Sequence, residues 1–369
     1  MIRRLVPWVG MVLIVAICAA ASLPGAGLPG GVPGGGPTSV PGSVTGSDPG
    51  AVPGSTMAEL KELYRRPESI PFPPENPYTE AKAKLGRMLF FDPIMSGSRT
   101  ISCSSCHNPS LSWADGVKLA NASGRMQLHT PTIIDVAWVP ILGWDGKFKS
   151  LEDVAFGPLL NPDNMNNTEA EIDGRLSRIP GYREAFAQAF PDVKPEDAVS
   201  RPRIEQALAT FERTIVASKA PFDRWIEGDE DAIGASAKRG FVLFNGKAGC
   251  ANCHEGPSFT DFSFHDIGVA DEDDIGRGRL FPTSVKLRHA FKVPTLRDVA
   301  RRAPYMHDGS EATLEAVIDT YNTGGIDRPS RSELIRPLGL TAVEKRDLID
   351  FLNTLTGEPV PFEMPNLPR

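Results

Sequence analysis

Residues 83–90, AKLGRMLF, and residues 237–244, AKRGFVLF, share the pattern A-K-x-G-x-x-L-F. Each is followed by a Cys-x-x-Cys-His motif, Cys103-Ser-Ser-Cys106-His107 in the first copy and Cys250-Ala-Asn-Cys253-His254 in the second. A helix, a loop and a cysteine motif that recur together read as an internal duplication. Helical periodicity is clear over 203–217, 314–321 and 342–355, and alternating runs of β-branched residues are scarce, so the fold class is mainly α with long loops. The repeat spacing places a boundary within SKAPFDRWIEGDED, 218–231, giving an N-terminal domain over 57–220 and a C-terminal domain over 221–369.

Cys-x-x-Cys-His is the attachment sequence for a c-type haem: two thiols add across the porphyrin vinyl groups and the following His turns its imidazole to the iron. Two motifs imply two covalent haems, held by Cys103, Cys106 and His107 and by Cys250, Cys253 and His254, with the two histidines as axial ligands. A structural zinc built from both cysteine pairs is the alternative, but it gives no reason for a His after the second Cys in each copy. A thioredoxin-like redox pair needs only one motif, in a βαβ setting.

The chain has 369 residues, with 39 Lys plus Arg against 46 Asp plus Glu and a formal net charge of -7. That balance offers no basic surface for a phosphate backbone, which excludes nucleic acid as an expected partner. Residues 1–21 read as a secretory signal: Arg3 and Arg4, an apolar run from Val9 to Ala20, and a small-residue cleavage site. The fifth cysteine, Cys18, lies inside it, behind an Ile17 too large for a lipoprotein signal. Residues 22–56 are rich in Gly, Pro, Ser and Thr without periodicity and read as a disordered linker. No later stretch is long and apolar enough to span a bilayer, so the expected location of the mature chain is the periplasm.

With these motifs in place, the chain resembles the bacterial di-haem cytochrome c peroxidases and their MauG-type relatives. The resemblance is carried, in family order, by LGRMLFFDP (85–93), CSSCHNPSLSWADG (103–116), TPT (130–132), GWDGK (143–147), GPLLNPDNM (157–165), CANCHEGPSFTD (250–261), FHDIGV (264–269), FKVPTLRDVA (291–300) and APYMHDGS (303–310). It implies two cytochrome-c-like domains, an N-terminal haem that meets peroxide and a six-coordinate C-terminal haem that stores electrons.

Four positions speak to the branch. Where the peroxidases place a Met as second ligand of the C-terminal haem, this chain has Tyr321, as MauG does, with Met306 as the competing ligand. Leu314, Val317, Ile318 and Tyr321 also form a stripe that an ordinary core face would show. The loop after the first motif, Leu119 to Gly124, holds no His to cap the first iron. Trp144 matches the aromatic that lies between the haems in the family and could relay electrons or simply pack. The distal pocket departs from the family: Val154 replaces a Gln, and Asn164 replaces the Glu that serves as acid-base group. An amide cannot exchange a proton near neutral pH. His129 stands where the family has an Asn near an interdomain calcium, which makes that ion doubtful. His129, His265, His289 and His307 otherwise read as satisfied loop or core histidines, and Asp271 to Asp274 as a solvated acidic face.

The resemblance implies a haem-dependent, peroxidase-like oxidoreductase of MauG type, in which peroxide-derived high-valent haem oxidises aromatic residues of a partner protein. The alternatives are a cytochrome c peroxidase that reduces hydrogen peroxide with electrons from small redox proteins, and an electron-transfer cytochrome without catalysis.

Overall fold

The glycine of each A-K-x-G-x-x-L-F repeat fixes a helix crossing. In the computed structural model, which describes residues 56–120, 122, 124 and 126–369, the helices are α1 (Met57–Leu63), α2 (Glu80–Phe91), α3 (Cys103–Cys106), α4 (Leu151–Leu160), α5 (Glu169–Arg178), α6 (Pro180–Ala189), α7 (Arg201–Arg213), α8 (Pro221–Ile226), α9 (Ala235–Asn245), α10 (Leu314–Thr323) and α11 (Ala342–Asn353). Sheet among these residues is limited to β1 (Phe264–His265) paired antiparallel with β2 (Phe291–Lys292). The mainly helical expectation holds. The leader and all but the last residue of the linker lie outside the described residues, and that last residue, Thr56, caps α1.

Helices α2 and α7 cross at Gly86, where a Cβ would stand 1.9 Å from the Ala207 carbonyl oxygen. Helices α9 and α11 cross at Gly240, where a Cβ would stand 1.9 Å from the Asp347 carbonyl oxygen. The same residue of the repeat therefore does the same work in each half. Gly86→Ala or Gly240→Ala should force the helices apart and cost about 3 kcal/mol, as overpacking a tight contact does. A thermal or denaturant melt checks it; a variant as stable as the parent would mean the crossings yield freely.

Two hydrophobic cores follow from these crossings. The first gathers Leu85, Leu89, Phe90, Ile204, Leu208 and Phe211, and the second Phe222, Trp225, Phe241, Phe244, Leu348 and Phe351. Both chain ends cross between them. Leu60 of α1 and Tyr64 at its C-terminal cap pack in the second core, although the sequence reading assigns them to the N-terminal domain. Phe362 of the C-terminal tail stacks on Phe91 of the first, ring centroids 4.7 Å apart.

The helix expected over 203–217 ends at Arg213. Beyond it the chain is taken up by a loop: Asp135 N–H donates to the Ile215 carbonyl, and the Asp135 carboxylate accepts from Ala217 N–H at 2.9 Å. No helix among the described residues is long and apolar enough to cross a membrane.

Candidate functional site

Each cysteine motif is a short helical turn whose His follows at its end, with the His N–H bonded to the carbonyl of the first Cys. The two rings are oriented alike. His107 Nδ1 lies 3.2 Å from the Trp113 carbonyl oxygen and His254 Nδ1 lies 2.9 Å from the Phe259 carbonyl oxygen. Trp113 and Phe259 both take up left-handed backbone, with φ of 60° and 53°, in the loops that present these carbonyls. With Nδ1–H donating to a carbonyl, Nε2 keeps its lone pair for a metal. Burial lowers the pKa of both imidazoles, so both stay neutral, as ligation requires.

Both motifs open into one cavity of about 870 Å³. Its lining includes His107, His254, Trp144, Asn164, Met306 and Tyr321, so the structure brings every residue singled out at the irons together around a single space. The thiols are disfavoured as anions: burial pushes Cys106 and Cys253 up to about 11, Cys250 up to about 12, and Cys103 higher still. Neutral thioethers suit such surroundings; four zinc-bound thiolates do not. Among the described residues the one group of three possible metal-ligating side chains is Cys253, Asp261 and His265, so the two cysteine pairs are not gathered for zinc. Two pairs of thiols outside any disulfide, a neutral imidazole beside each pair and an apolar cleft fit c-type haem.

The duplication also explains the unlike sides of the cavity. Ser150 caps α4 and Thr313 caps α10, each accepting from the N–H three residues on. In register from these caps, Leu151, Val154, Ala155 and Pro158 correspond to Leu314, Val317, Ile318 and Tyr321, and all eight line the cavity. The position that is Pro158 in the first half is thus Tyr321 in the second. A pyrrolidine ring cannot bind iron, whereas a phenol can. The Tyr321 hydroxyl has no hydrogen-bond partner among the described residues, and burial together with the neighbouring Cys250 and Cys253 holds its pKa far above the usual phenol range. Its ionisation calls for a nearby cation.

Trp144 is 9% exposed, and its indole N–H donates to the His129 carbonyl at 2.8 Å. Its counterpart in the duplication is His307, as W-D-G at 144–146 matches H-D-G at 307–309; the two rings meet edge-on at 6.5 Å. Met306 matches Gly143, and both hold positive φ, 73° and 83°. Asn164 lies on the turn after α4, its N–H bonded to the Asn161 carbonyl, with its side chain half-buried in the cavity wall. Asp163 beside it is exposed and is not part of that wall.

The histidines outside the motifs are satisfied by their surroundings. His129 Nδ1 bonds the Val117 carbonyl at 2.8 Å, His265 the Ser263 hydroxyl at 2.7 Å, and His289 the Asp274 carbonyl at 2.9 Å. The acidic run needs a correction. Asp274 is not a solvated face: it is half-buried and accepts from His307 Nε2 at 3.1 Å and from Arg279 at 3.0 Å. Burial raises its pKa, but the hydrogen bonds from His307 and from the Gly276 N–H, together with the charge of Arg279, outweigh this and hold it below the usual carboxylate range. No local pattern in 271–274 distinguishes the one aspartate that turns inward.

Glu212 also escapes a sequence reading. It lines the cavity beside Leu208 on α7, near Cys103, and burial pushes its carboxyl up to about 8. The available signal was the i, i+4 spacing of Leu208 and Glu212 on one helix face.

Comparison with known proteins agrees with this geometry. A family model described as di-haem cytochrome c peroxidase matches residues 80–231. The methylamine utilization protein MauG of Methylorubrum extorquens is 49% identical over 315 residues, covering 85% of this chain and 88% of that protein. MauG of Methylophilus methylotrophus is 45% identical, covering 84% and 92%. The solved structure of a MauG-like protein associated with microbial copper homeostasis superposes with a TM-score of 0.74 at 33% identity, covering 79% of this chain and 95% of that one. The chain therefore belongs to the di-haem cytochrome c peroxidase and MauG family, on its MauG side, and is a haem-dependent, peroxidase-like oxidoreductase with two c-type haems.

Proposed function

We propose that this is a periplasmic MauG-type enzyme that takes oxidising equivalents from hydrogen peroxide and delivers them to aromatic side chains of a partner protein. The haems, when bound, supply the irons at which peroxide reacts and on which oxidising equivalents are held. In this reading Cys103 and Cys106 would fix the first haem and His107 would ligate it, while Pro158 and the absence of a loop His supply no further protein ligand and would leave that iron accessible to peroxide. Cys250, Cys253 and His254 hold the second, with Tyr321 as its further ligand. Trp144, buried in the wall of the cavity into which both motifs open, would carry electrons from one haem to the other. Calcium has no assigned place here, since the imidazole of His129 is a poor ligand for a hard cation.

The observation that carries the reading is the equivalence of Pro158 and Tyr321. A hard, anionic phenolate favours oxidised iron, where the thioether of a Met favours the reduced state, so an iron ligated by Tyr321 suits holding oxidising equivalents better than cycling electrons from a small cytochrome. The resting ferric protein is expected to contain one high-spin and one low-spin haem. In Tyr321→Phe the low-spin signal should be lost or shifted, with the high-spin haem unchanged. An unaltered low-spin spectrum would remove Tyr321 from the ligand set and point to Met306.

A further inference from the structure

The two halves meet through a reciprocal pair of main-chain bonds. His129 N–H donates to the His307 carbonyl and Lys292 N–H donates to the Trp144 carbonyl, both at 2.8 Å. The exchange is symmetric under the duplication: Trp144 corresponds to His307, and by the same register His129 corresponds to Lys292. Each of these last two residues stands at the seam and lines the cavity.

Their side chains are not equivalent. The His129 ring is engaged by the Val117 carbonyl. The Lys292 ammonium, on β2 next to a Phe291 whose ring stacks on His307 at 3.7 Å, has no hydrogen bond or ion pair among the described residues. Its surroundings strip water from the charge and hold its pKa down to about 8. Of the other cations that reach the cavity, Lys147 and Arg336 are exposed, and Arg302 is tethered through Nη2 to the Thr295 carbonyl at 2.6 Å, with its buried Nε unpartnered. A primary ammonium withdrawn from water is costly unless an anion faces it. The group that fills this cavity carries such anions, because each haem bears two propionate carboxylates in addition to the vinyl groups that the cysteines consume.

We infer that the Lys292 ammonium is the seat of a haem propionate at the seam between the two halves. Its main-chain bond to Trp144 then ties the position of that counter-charge to the position of the relay. The pair would neutralise a carboxylate that, left alone, stabilises ferric over ferrous iron. Lys292 is thus a cofactor-positioning residue that tunes one of the two irons. The inference rests on the presence of two haems and not on what the enzyme oxidises; a chain inactive toward every partner protein would still show it.

Spectroelectrochemical titration of the di-haem protein tests it, with the propionate bending band in resonance Raman as second readout. Lys292→Met should retain both covalent haems and lower the midpoint potential of one. The ferric-to-ferrous ratio of that haem at fixed applied potential should rise about tenfold, 59 mV for a one-electron couple, as expected for one uncompensated charge near a redox centre. Its propionate band should shift as well. Lys292→Arg, which keeps the charge, should leave both readouts near the parent. If Met at this position prevents uptake of both haems, Lys292→Gln replaces it with the same expected shifts. Unchanged potentials and an unchanged propionate band in the neutral variants would overturn the assignment. So would an Arg variant shifted as far as the Met variant, since the effect would then be one of packing.

Discussion

Asn164→Glu is expected to accelerate the reaction with hydrogen peroxide by about 10²- to 10⁴-fold, the range that a positioned acid-base group contributes. Cleaving an O–O bond requires a proton to leave one peroxide oxygen and arrive at the other. On the proposed assignment of residue 164 to the peroxide side of the first haem, a carboxylate there can take and return that proton. The amide of Asn164, in the cavity wall, can only donate and accept hydrogen bonds. Neither neighbour compensates: Val154 is apolar, and Asp163 is exposed outside the cavity. Rapid-mixing absorption spectra of parent and variant measure the rate directly. A parent that reacts fast, with no gain in the Glu variant, would show that proton delivery is not what limits it. No reaction in either would favour an electron-transfer cytochrome.

Trp144→Phe is expected to leave the first peroxide step intact and abolish sharing of the oxidising equivalents between the two haems. The physical ground lies in the partner of the indole. Its N–H donates to a main-chain carbonyl, that of His129, and a carbonyl is not a base that can keep the proton. An electron drawn from Trp144 is therefore replaced before any proton leaves, so transfer through it should show no solvent deuterium isotope effect. Phenylalanine is far harder to oxidise. The substitution also strips the buried His129 carbonyl of its donor, which should lower stability by about 1–3 kcal/mol. A Phe variant in which both haem spectra still change together on adding peroxide would exclude the indole as the relay.

How far the site could be read beforehand depended on whether chemistry was written in adjacent residues. Cys103 to His107 and Cys250 to His254 are contiguous, so both haem anchors were visible, as were α10 and α11 from their periodicity. The repeat A-K-x-G-x-x-L-F was legible as a duplication, but the reason for its glycine was not, because the opposing carbonyls of Ala207 and Asp347 lie far away in sequence. The same holds for Asp274 and His307 and for Glu212 beside Cys103. These are pairings made by tertiary packing between segments with no local signature. The helix drawn to Ala217 failed for a related reason: Asp135, remote in sequence, claims the backbone beyond Arg213.

The crossing of the chain ends bears on the order in which this protein can be assembled. Thiols can meet haem vinyl groups only while the Cys-x-x-Cys-His segments are accessible. The second core lacks Leu60 and Tyr64 unless the beginning of the folded chain is present, and the first lacks Phe362 until the C-terminal tail has been made. The tail therefore docks on a core whose buried residues all lie within 85–217. Seated on Phe91 and on Trp113, whose carbonyl meets the His107 ring, the tail acts as a latch on the loop that orients that ring.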